Sequence, residues 1–123
     1  MVPTNKMKYT TASVAVLASV VAGCATRPVS DSDTTPVRPD RVIDSRFLHP
    51  SPGSGTVTIK RDRGFGGSAC SSRVFVDANP TADLRPSEKV VVYLPPGDHI
   101  LSAWPNGMCG GGMSEVRASV TTG

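Results

Sequence analysis

No stretch of this chain carries the roughly 20 consecutive apolar residues that a membrane-spanning helix needs. Its longest apolar run, Ala12 to Ala22, stops well short of that. Aromatic residues make up only 5% of the chain, so any core must be small and largely aliphatic. There are two histidines, His49 and His99, and no Gly-x-Ser-x-Gly elbow to present a nucleophile. His49 lies in a proline-rich stretch and His99 beside a Pro-Pro-Gly turn, where a solvent-facing imidazole is expected; a dyad with Asp98 or Asp77 is the only catalytic pairing that can be drawn. His99, Cys70 and Cys109 are ligand types for zinc, but their spacing matches no ligand signature. Neither Gly64-Phe65-Gly66-Gly67 nor Gly110-Gly111-Gly112 is followed by Lys-Ser/Thr or by a helix, so a phosphate-binding loop is not expected. The sequence therefore predicts a protein that is not an enzyme, with no catalytic residues, cofactor or metal.

What is present begins at the N-terminus. Lys6 and Lys8 precede the apolar run, which ends in Val21-Ala22-Gly23-Cys24. A basic start, a short apolar centre and a small-residue exit describe an export signal better than a globular helix. Met7-Lys8 opens a more compact signal than the preceding residues do. The four residues Val21, Ala22, Gly23 and Cys24 resemble the lipobox of bacterial lipoproteins. That resemblance implies acylation of the Cys24 thiol, cleavage before it, and a mature chain that starts there. Ala25 follows where an aspartate would favour retention in the inner membrane. The resemblance thus implies the periplasmic face of the outer membrane, with the lipid bilayer itself as a partner. Two or three acyl chains, at about 0.8 kcal/mol per buried methylene, would make the anchor effectively permanent.

The signal also holds two of the 13 basic residues and none of the ten acidic ones. Eleven basic against ten acidic residues remain, a mature net charge of +1 rather than the +3 of the whole chain. Nothing in this resembles the basic stripe that nucleic acid demands, and nucleic acid is rejected as a partner. The cysteine count points the same way as the lipobox. Three cysteines leave one unpaired in an oxidising compartment; assigning Cys24 to lipid leaves Cys70 and Cys109 as an even pair, expected as a disulfide.

Composition then divides the chain into a signal (1–23), a tether (24–55) and a domain (56–123). Pro28, Pro36, Pro39, Pro50 and Pro52 alternate with polar residues in the tether, and no period of 2 or 3.6 is visible. About 31 such residues would reach roughly 30 Å as a flexible chain. Val42 to Leu48 carries enough apolar surface to dock on the domain or on a partner, or is simply a sticky patch in a linker. From Thr56 the pattern turns to β. Strands are expected over Val57 to Asp62, Arg73 to Asp77, around Ala82 to Leu84, over Lys89 to Leu94, His99 to Trp104 and Glu115 to Thr121. Lys89 to Leu94, apolar on both faces, is expected at the centre. The fold class is all-β: a small antiparallel sandwich or partly open barrel.

The order of Val57-Thr58-Ile59-Lys60-Arg61-Asp62, Gly67-Ser68-Ala69-Cys70, Val74-Phe75-Val76-Asp77, Leu94-Pro95-Pro96-Gly97-Asp98-His99 and Cys109-Gly110-Gly111-Gly112 is similar to a family of small bacterial lipoproteins with a PEGA-like or transthyretin-like β-domain. The likeness covers residues 56–123 and the lipobox. Family members usually carry one or two further strands, so the resemblance implies a β-domain truncated at its C-terminus. It also implies a non-enzymatic binding or accessory module, whose partner is another envelope protein or a cell-wall component. Some small disulfide-bonded lipoproteins instead inhibit lysozyme-type hydrolases, and the loops at Cys70 and Cys109 are where such an inhibitor would enter a cleft. Phe65, Trp104 and Met108, with Met113, lie in or beside those loops. They either form a contact surface or, for Phe65 and Trp104, cap the core.

Overall fold

Successive side chains of a strand point to opposite faces, and burying one face of each sheet stacks two sheets face to face. The computed structural model describes residues 29–63, 70–107, 109 and 111–122. Its strands are β1 (Thr35–Pro36), β2 (Gly55–Lys60), β3 (Ser72–Val76), β4 (Asn79–Leu84), β5 (Glu88–Leu94), β6 (Gly97–Pro105) and β7 (Ser114–Val120). One sheet has the order β1-β5-β2 and the other β4-β3-β6-β7, an open sandwich rather than a closed barrel. Among the described residues there is no α-helix. The core lies between the sheets: Val90, Val92 and Leu94 of β5 face Val74 and Val76 of β3, Ala82 and Leu84 of β4, and Val120 of β7. These are mostly branched aliphatic side chains, which pack well on a pleated surface and lose little rotamer freedom there.

The two sheets approach closely where Gly55 meets the end of β7. A Cβ at Gly55 would stand 2.4 Å from the Thr121 carbonyl oxygen and 2.5 Å from Val120 Cγ1. Cys70 and Cys109 are joined at the opposite end of the sandwich, with Cα atoms 6.2 Å apart. That separation suits a disulfide.

The boundary expected at residue 56 is not where the folded unit starts. Over its described part, residues 29–55, the expected flexible tether lies against the domain. Thr35 N–H donates to the Ser87 carbonyl (3.0 Å) and Val37 N–H to that of Lys89 (2.8 Å). Pro36 falls between them, at the position whose nitrogen points away from β5, so its missing donor costs nothing. Farther on, Ile43 N–H donates to the Thr81 carbonyl (2.8 Å), and Tyr93 N–H donates back to that of Phe47 (2.7 Å). Val37, Phe47 and Leu48 rest against the core cluster. Of the two readings of Val42 to Leu48, docking on the domain is the one observed. Residues 24–28 lie outside the described residues.

The short strand expected around Ala82 to Leu84 is longer, from Asn79 to Leu84, and carries a bulge. Val74 pairs with Ala82 but Phe75 pairs with Pro80, which leaves Thr81 as the extra residue. The bulge turns the Thr81 carbonyl out of the ladder and toward Ile43. Sequence alternation alone cannot register such a shift.

Candidate functional site

Side chains on the outer face of the four-stranded sheet are those that do not enter the core. In β3 these are Arg73 and Phe75, in β6 Ile100, Ser102 and Trp104, and in β7 Glu115 and Arg117. Trp104 stands opposite Arg73 and Phe75 opposite Ser102, and Ser102 in turn opposite Glu115. Trp104 is 48% exposed and Met113 42% exposed. The expectation that Trp104 caps the core is therefore corrected: its position in β6 places it on the side away from Leu101 and Ala103, which pack inward. A shallow cavity of about 480 Å³ opens on this face, floored by Phe75, Ile100 and Ser102 and edged by Asp77, Met113 and Glu115. The face is apolar at its centre and charged at its margins, the pattern of a recognition surface. The Arg73 guanidinium grips both Asp83 carboxylate oxygens, at 2.9 and 3.1 Å, along one margin.

Sequence reasoning passed over Phe75 and Ile100. The signal was there in Arg73-Val74-Phe75-Val76, because a residue between two inward valines must point outward. Of the other residues expected in a contact surface, Phe65 and Met108 lie outside the described residues. So do Val21, Ala22, Gly23 and Cys24.

The other margin holds an arrangement that resembles a catalytic dyad. Asp77 and Ala78 form a two-residue turn between β3 and β4 with φ of 47° and 66°. Both lie in the left-handed region, as a type I′ hairpin turn requires. The turn aims the Asp77 carboxylate at β6. One oxygen accepts from the Ile100 N–H at 2.9 Å, and the other lies 2.7 Å from His99 Nδ1. His99 Nε2 lies 2.7 Å from the Pro95 carbonyl oxygen. A carboxylate and a carbonyl can only accept, so the arrangement favours the imidazolium, whose two ring nitrogens both donate. The Asp77 hydrogen bond, with that to Pro95, raises the affinity of His99 for its proton above the ordinary value of 6.5. The same bond, with that from Ile100, lowers Asp77 below 3.8.

The solvent-facing imidazole expected at residue 99 is thus corrected as well. Starting β6 at Gly97 rather than at His99 puts the ring on the inward side, where it is only 9% exposed. Both ring nitrogens are engaged in hydrogen bonds and the ring is largely shielded, so the arrangement is that of a structural tie. It ties the β5–β6 connection to the β3–β4 turn.

Its contribution has a definite pH window. Asp77 is lowered, so its share is complete above about 3.8 and is lost as pH falls through its folded value. His99 is raised, so its share is complete below about 6.5 and is lost as pH rises through its folded value. The melting temperature should therefore fall as pH rises above about 6.5, and His99→Gln should flatten that slope while lowering stability at pH 6. Parallel slopes in the two proteins would show that the pair is not ionised.

Among the described residues no group of three or more His, Cys, Asp or Glu side chains is placed to hold a metal. No family model matches the chain, and no curated protein or solved structure does either.

Proposed function

We propose that this chain is a bacterial lipoprotein of the outer membrane, acylated at Cys24, whose β-sandwich is a non-enzymatic binding or accessory module. Its partner is another envelope protein or a cell-wall component, met through the outer face of the four-stranded sheet. The observation that carries this reading is the exposed Trp104, with Met113 beside the cavity over Phe75 and Ile100. Tryptophan on an otherwise aromatic-poor chain is a typical anchor of a contact surface. The Cys70–Cys109 pair supports an oxidising compartment, and the residues Val21 to Cys24 support the anchor.

Two measurements test the two halves. Cys24→Ser should leave an uncut, unlipidated precursor, seen as a heavier band that incorporates no labelled palmitate; normal processing of that variant sinks the anchor. A photocrosslinking amino acid at position 104 should trap one discrete envelope partner in cells, and the same probe at exposed Thr58 of β2 should not. Equal capture at both positions, or none at 104, removes the proposed face.

A further inference from the structure

The strand β7 has one edge paired to β6 and, among the described residues, no strand hydrogen-bonded to the other, which β2 approaches at the Val120 end, through Gly55. Its register with β6 runs unbroken from Gly97↔Val120 to Ala103↔Ser114. An exposed edge of seven residues is a template for another strand, and proteins that must prevent this place proline, lysine or a bulge there. Ser114-Glu115-Val116-Arg117-Ala118-Ser119-Val120 has no proline, lysine or bulge; the charges it carries, Glu115 and Arg117, are of opposite sign. Val116 is 61% exposed. It sits at the mouth of a cleft of about 290 Å³ between the sheets, lined by Ile59, Leu101 and Ala103.

The charges on this edge select one partner. Glu115 and Arg117 lie on the same face, two residues apart, with Val116 between them. Antiparallel pairing of β7 with itself, centred on Val116, sets each Glu115 opposite Arg117 of the second copy, and Val116 opposite its own equivalent. Centring one residue earlier sets Glu115 against Glu115, and one residue later Arg117 against Arg117. Like charges directly opposite one another are unfavourable, whereas opposite charges and apolar pairs are favourable. Competing contacts within the chain are loose. Arg117 lies 3.8 Å from an exposed Asp98 oxygen, and Glu115 accepts a 3.3 Å hydrogen bond from Ser102.

We infer that a second copy of this chain adds to β7, about a two-fold axis through Val116, joining two four-stranded sheets into one. Such an interface is isologous, so the Glu115–Arg117 pair is made twice, on either side of the Val116 pair on the axis. The inference is independent of the proposed anchor and of the outer-face partner.

Sedimentation equilibrium of the purified protein tests it. The protein should dimerise, and Glu115→Arg or Arg117→Glu alone should weaken the dimer by roughly tenfold, since each reversal replaces two attractive pairs with two repulsive ones. Mixing the two single variants should restore association as a heterodimer, because all cross-strand pairs are then opposite in sign. The double variant Glu115→Arg/Arg117→Glu should regain its own dimer. Far-UV circular dichroism of each variant checks that the exposed charge changes leave the fold intact. A protein that stays monomeric at its solubility limit, or a mixture that associates no better than its components, overturns the inference.

Discussion

Reduction of the Cys70–Cys109 bridge is expected to remove about 4 kcal/mol of stability, the loop-closure entropy of a chain segment of this length. The two cysteines are 39 residues apart in sequence. They tie the segment entering β3 to the β6–β7 connection, at the end of the four-stranded sheet where Ser72 pairs with Pro105. Reduced, the unfolded chain regains that freedom while the folded chain gains nothing. A domain whose core is a handful of valines and leucines has little else to set against the loss, because small domains are only marginally stable. Melting temperature should fall by about 20 °C on adding reductant, or in Cys70→Ser, at roughly 4–8 °C per kcal/mol for a domain of this size. A shift of less than about 5 °C would mean that the sheets hold each other without the staple.

The second large effect belongs to Glu88. Glu88→Ala should cost about 3 kcal/mol, because it strands a nearly buried guanidinium. Arg41 and Glu88 form an ion pair with side chains only 14% and 11% exposed. The other Glu88 oxygen accepts from the Arg85 N–H at 2.8 Å, across the Pro86-Ser87 turn. Without the carboxylate, Arg41 keeps only a 3.3 Å contact with the Asp83 carbonyl. Removing both charges is gentler than removing one, so in an Arg41→Met background the same Glu88→Ala change should cost only about 1 kcal/mol, the lost turn hydrogen bond. Urea unfolding of the four proteins gives the coupling directly. Equal costs in both backgrounds would show that the pair contributes nothing as a pair. Amide exchange should also accelerate first in residues 35–48, which this pair pins to β5.

The strands were legible because burial repeats every second residue. β5 was placed at the centre of its sheet from an uninterrupted Val90-Val91-Val92, and β1 and β2 do flank it. The disulfide followed from counting cysteines. What the sequence conceals is contact between segments far apart in it. Nothing near Ile43 announces that its N–H will meet Thr81, and nothing near Asp77 announces His99. Prolines also mislead. Pro36 and Pro39 read as a disordered tether, yet one occupies the donor-free position of a β-bridge and the other starts a 3₁₀ turn at Pro39–Arg41, where no N–H is required. The outer-face residues were passed over for a different reason: composition notes aromatic and apolar residues, whereas the side of the sheet they occupy comes from alternation for Phe75, between Val74 and Val76, and from register for Ile100, beside an inward His99.

The docked N-terminal segment also sets a leash length. Val29 N–H reaches the Asp62 carboxylate at 3.3 Å, and the neighbouring Arg61 guanidinium donates to the Cys70 carbonyl. The chain therefore enters the domain at its disulfide-bearing end. On the proposed anchoring, four residues lie between Cys24 and Val29, five Cα–Cα steps with a contour of at most about 18 Å, where a free tether would reach nearly twice as far. A single domain would then stand on that end, close above the lipid headgroups, with the His99–Asp77 end uppermost. The two-fold pairing reverses β7 in the second copy and sends its leash the opposite way. A pair anchored in one bilayer must accordingly lie down, strands along the surface, so association would change the posture of the molecule as well as its number.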